Sequence, residues 1–236
     1  MIEILVYNQT TVLTDAQVQA VIPALQTQLD RDLCPAWSLG QYKLLFVPKG
    51  QAAQKGQWQF LFLDNTSDAS ALGYHDQTSF GDPIAYIGVQ ETINDHGTWS
   101  VTASHELCEM CVNPNLNDSE YNDRQNRIDI RECCDAVESD SLGYAINGVQ
   151  VSDFVLPGWF NADVAPTVPL SFGGHVSQPF ELAPGGYISF IDLAKPSAGW
   201  QQVFADAASK KRPGTSRGAI RARVSALGGM ARKSTR

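Results

Sequence analysis

The chain has 236 residues, 43% of them hydrophobic and 18% charged, which is enough apolar material for one domain with a sizeable core. No stretch is long and apolar enough to span a membrane as a helix, and Met1-Ile-Glu-Ile-Leu-Val-Tyr7 lacks the basic region and apolar run of an export signal. Charge is divided: nine basic and no acidic residues follow Asp206, whereas residues 1–206 hold eight basic and 25 acidic ones, a net of −17.

Ile2–Tyr7 reads as a strand. Thr14 starts a helix, with Gln17 completing a capping box, and Val18, Val21, Ile22, Leu25, Leu29 and Leu33 follow at helical spacing. Pro23 inside that pattern predicts a kink or a later start. Tyr42–Val47 and Trp58–Leu63 are aromatic and aliphatic strands. Asp64–Phe80 is polar and reads as a loop. Pro83–Gln90 is a further strand, and a proline at its first position suits a sheet edge. The next helix begins near Gly97 or Thr98 and stops at Asn113-Pro114, because the residue before proline avoids the helical region. Asn113–Asn126 reads as a loop. It is rich in Asn and Asp, but without the spacing or the glycine of an EF-hand it is read as polar surface. Asn147-Gly148 between alternating residues predicts a hairpin over Tyr144–Phe154. Residues 157–190 are rich in Pro and Gly, with short strands expected around Tyr187–Ile191, and residues 197–208 suit a short helix. This order predicts an α+β domain with a mixed sheet over residues 1–195 and an irregular, β-rich C-terminal half. Residues 196–236 are set apart as a basic tail, in which Ile220, Val224 and Leu227 would form one face of an amphipathic helix.

The five cysteines are Cys34, Cys108, Cys111, Cys133 and Cys134, an odd number with one adjacent pair. That argues against a disulfide scaffold and for a reducing compartment. Cys108, Cys111, Cys133 and Cys134 would make a zinc site only with irregular spacing, so a core role is the better reading for Cys111.

The chemistry-bearing stretch is His105-Glu106-Leu107-Cys108-Glu109. Residues four apart share a helix face, so His105 and Glu109 can address one metal ion. Glu106, about 100° around the helix, can reach a water beside it and act as general base. This is the His-Glu-x-x-His layout with its second histidine replaced by glutamate. A third ligand is needed, and Glu132, Asp135 and Glu138 lie together downstream. Of the remaining histidines, His96 reads as a loop residue at the helix start, and His75 and His175, in Gly-containing segments, read as surface residues. Tyr74 and His96 are the candidate oxyanion donors.

Thr102-Ala-Ser-His-Glu-Leu-Cys-Glu-Met-Cys-Val-Asn-Pro114 followed by Glu132-x-x-Asp135 resembles a pattern of zincin-like proteins, notably exordium-like (phosphate-induced) proteins and bacterial and phage proteins with a Ser-His-Glu-x-x-Glu helix. Asp135-x-Val-Glu138 and Val151-Ser-Asp-Phe-Val-Leu-Pro-x-Trp-Phe160 extend the resemblance over roughly residues 83–160. It implies a zincin-like sheet whose edge strand borders a cleft with the motif helix beneath. It also implies a gluzincin-like zinc peptidase or amide hydrolase, with His105, Glu109 and Glu132 as ligands and Asp135 orienting His105. The reverse assignment of Glu132 and Asp135 stays open, because Glu-x-x-Asp is one residue shorter than the usual form. A carboxylate at Glu109 shifts preference from Zn²⁺ toward harder ions such as Ca²⁺ or Mn²⁺. The alternative is a non-catalytic component of a phage virion or other large assembly, with metal as a fold staple. Lys210, Lys211, Arg212, Arg217, Arg221 and Arg223 would then dock on an acidic protein surface or nucleic acid. A cytoplasmic or virion location is expected on either reading.

Overall fold

The computed structural model describes residues 1–48, 51, 56–67 and 71–206. The basic residues from Lys210 to Arg223 and the amphipathic segment through Leu227 lie outside the described residues. The fold is α+β. A five-stranded mixed sheet runs in the order β2–β1–β3–β5–β4, built from β1 (Ile2–Asn8), β2 (Tyr42–Val47), β3 (Trp58–Leu63), β4 (Gly73–Gln77) and β5 (Pro83–Gly88). All neighbours are parallel except β4, which is antiparallel to β5.

Three expectations change here. Pro83–Gly88 is an inner strand, and the edge is β4, inside the segment read as a loop. Gly73-Tyr-His-Asp-Gln77 has one large apolar residue and gives no strand pattern, yet an edge strand needs only one partner. Val89 and Gln90, read as strand, open a short helix, α3 (Val89–Asn94).

α1 (Asp15–Thr27) starts from Thr14 through the expected capping box, and Pro23 sits inside it without delaying its start. A π-helical stretch, Gln28–Leu33, and a turn of helix, α2 (Cys34–Trp37), continue it. α4 (Trp99–Val112) is capped by Thr98 and Asn113, at the expected limits. All but Trp99 and Thr102 of its residues are buried, as expected of a helix surrounded by protein. It packs on β4, β5 and the hairpin β8 (Tyr144–Ile146) and β9 (Val149–Val151). Asn147 and Gly148 turn that hairpin with positive φ, 51° and 83°.

A second, antiparallel sheet has the order β11–β10–β7–β6, from β6 (Ser119–Asn122), β7 (Arg127–Ile130), β10 (Tyr187–Asp192) and β11 (Trp200–Phe204). β6 lies in the segment expected to be loop. β11 replaces the expected helix at 197–208: Trp200–Phe204 pairs residue by residue with β10, which brings part of 196–236 into the sheet. All five cysteines are free and buried.

Candidate metal centre

Strand parity decides which β4 side chains meet α4. His75 is paired with Ala85 and Gly73 with Ile87, both in the core beneath the helices, whereas Tyr74 is paired with Tyr86 on the other face. His75 therefore points toward α4 and is 2% exposed, not the surface residue its sequence context suggested. Tyr74 packs against Tyr86, ring centroids 4.8 Å apart, and hydrogen-bonds Ser67, which removes it as an oxyanion donor at this site.

α4 contributes His105 and Glu109 one turn apart, with His105 Nε2 3.1 Å from Glu109 Oε2. The segment after β7 contributes Glu132 and Asp135. Asp135 Oδ1 lies 3.3 Å from His105 Nε2, while Glu132 Oε2 lies 3.1 Å from His75 Nε2. Two sets of three donors result: His105, Glu109 and Asp135, and His75, Glu109 and Glu132. Within each set the ligand atoms lie within 4.8 Å of one another, close enough to share a cation. Asp135, not Glu132, is thus the carboxylate beside His105. No such set contains a cysteine among the described residues.

The ligand-bearing segment is tied by its backbone. The Cys133 carbonyl accepts from Val155 N–H, the Ala136 carbonyl from Ala183 N–H, and Cys134 N–H donates to Glu109 Oε1 at 3.2 Å. Gly186 lets the neighbouring chain pass, since a Cβ there would lie 2.2 Å from the Ala136 oxygen. Beneath α4, Ser104 donates to Gln28 Oε1 at 2.6 Å and accepts from Ser152 N–H, while Gln28 donates to the Ser152 carbonyl. Gln28 stands at the junction of α1 and the π-helical stretch, and its fully buried amide holds Ser104, the residue next to His105.

Burial alone would depress the His105 pKa. The Glu109 charge and hydrogen bonds to Asp135 and Glu109 outweigh it and hold the imidazole well above its usual value. The proton thereby occupies the place that a metal cation competes for.

Glu106 and His105 line one cleft of about 120 Å³, together with Gly73, His96, Thr102, Glu138 and Asp140. Gly73 makes room for Glu106, because a Cβ there would come 2.8 Å from Glu106 Cγ. His96 adopts positive φ at 61° and sits on the cleft wall, as a loop residue near the helix start. Asp140 accepts from Thr98 N–H at 2.6 Å, satisfying a backbone donor at the start of α4. Of the five side chains brought together here, the sequence reading singled out His105, Glu109, Glu132 and Asp135 and took His75 for a surface residue. The available signal was Gly81-Asp82-Pro83, turn chemistry that makes a hairpin of β4 and β5.

Comparison with protein-family models, with curated proteins and with solved structures finds no match in any of the three.

Proposed function

We propose that this is a zincin-like metal-dependent hydrolase acting on peptide or other amide bonds, with Glu106 as general base. The observation that carries this reading is an asymmetry. Glu109 and Asp135 close the back of the donor set, at 0% and 2% exposure, while His105 and Glu106 line a cleft at its front. Catalytic metal sites keep one such open side, and structural ones are closed.

His105, Glu109 and Asp135 would hold the ion, and this one-imidazole, two-carboxylate set suits Zn²⁺ or the harder Mn²⁺. A bound divalent ion supplies Lewis acidity and lowers the pKa of water. Glu106 takes the proton from the attacking water and returns it to the leaving amine. Ser104 and Gln28 keep the helix turn that carries His105 in place. Asp95, Glu106, Glu138 and Asp140 line the cleft without any lysine or arginine, which favours a substrate bearing a cationic group near the scissile bond.

The test is Glu106→Gln. It should retain metal and lower amide hydrolysis by about 10²–10⁴-fold. Wild-type protein that cleaves nothing in a broad peptide library would remove the enzymatic reading.

A second reading, a fold staple in a non-catalytic assembly component, draws support from the burial of His75, Glu109 and Glu132, which join β4, α4 and the segment after β7. It expects His105→Ala to lower the melting temperature and Glu106→Gln to change nothing.

A further inference from the structure

The donors around Glu109 form two sets, and a single-ion site uses only one of them. We propose that the centre takes two divalent cations, one held by His105, Glu109 and Asp135 and the other by His75, Glu109 and Glu132, with the Glu109 carboxylate bridging them. The inference rests on the metal-binding reading above, whose ion is the first of the two.

Geometry supports the pair. Glu109 is the member common to both sets, and it presents two oxygens from one fully buried side chain. Oε2 faces His105 Nε2 at 3.1 Å, and Oε1, on the other side of the carboxylate, accepts a 3.2 Å bond from Cys134 N–H. Two-metal hydrolytic sites place their ions roughly 3.5–4 Å apart, a separation that one bridging carboxylate spans. The second set comes from three separate segments: the edge strand β4, the last turn of α4 and the stretch just after β7.

Burial supports it as well: His75, Glu109 and Glu132 are each at most 3% exposed, and a divalent cation is what such a buried imidazole–carboxylate set can share. A plain His75–Glu132 hydrogen bond would explain that pair alone. It gives no reason for Glu109 to stand within 4.8 Å of both partners.

The test uses the full chain, stripped with EDTA and titrated with Mn²⁺. Wild type should take up two ions per chain. Its electron paramagnetic resonance spectrum should change from the isolated-ion pattern to that of an exchange-coupled pair. Glu132→Gln, which keeps the side chain's shape and a hydrogen bond to His75, should take up one ion and give the uncoupled spectrum, and so should His75→Ala. Wild-type uptake of one ion that survives Glu132→Gln overturns the second site and leaves the first standing. Uptake of one ion that both Glu132→Gln and Asp135→Asn abolish means a single shared site and overturns it equally. Uptake of none removes the metal-binding reading itself. The wild-type count and spectrum require no variant, so a variant that fails to fold leaves the outcome decided.

Discussion

Glu109 and Asp129 are both fully buried carboxylates, and the chain answers them differently. Asp129, on β7, has a permanent cation, Arg127, which stacks on Phe190 at 4.6 Å, and an amide donor, Asn122, at 3.2 Å. Glu109, on α4, has a histidine, a backbone N–H and other carboxylates nearby. A guanidinium cannot leave, so the first arrangement is self-contained. An imidazole can exchange its proton for a metal, so the second is open to one. Asp153 is a third case: it accepts from Gly173 N–H at 2.8 Å, and burial pushes its pKa up to about 6.

The comparison can be broken most sharply at Arg127. Arg127→Met strands the Asp129 charge and should destabilise the protein by about 3–5 kcal/mol in urea unfolding. The loss should be the same with EDTA and with metal. A metal-dependent loss would mean that the two regions are coupled. Metal removal comes next. With Zn²⁺ or Mn²⁺ at about a thousandfold excess over Kd, the ion contributes roughly 4 kcal/mol, or about 8–16 °C in melting temperature. Glu109→Gln should abolish that shift, and a shift of full size in this variant would take Glu109 out of the site. The smallest effect belongs to Asp153. Its folded pKa is raised above the ordinary 3.8, so the folded state favours the protonated acid. The penalty is absent below the unfolded value and complete above about 6, about 3 kcal/mol lost as pH rises through that window. Asp153→Asn should flatten the stability profile between those limits, and an unchanged slope would assign it to other groups.

The helix that carries His105 and Glu109 was legible because Asn113-Pro114 ends it and small and apolar residues fill it. β1, the capping box at Thr14 and the Asn147-Gly148 turn were legible for equally local reasons. β4, β6 and β11 were not, since short strands at or near a sheet edge are fixed by their neighbours and need no alternation of their own. His75 was lost with β4. The choice between Glu132 and Asp135 could not be read either, because it depends on how the chain leaves β7, and no local pattern encodes that path.

The segment from Glu132 to Ala136 is moored by the carbonyls of Cys133 and Ala136, and Glu109 holds it only through the Cys134 backbone N–H, so no side chain of the segment itself sets these anchors. Its path and its own side-chain chemistry are therefore written in different atoms. A lineage can exchange the group at Glu132 or Asp135, and with it the ion or the reaction, while inheriting the same loop. Selection can act on one without first rebuilding the other.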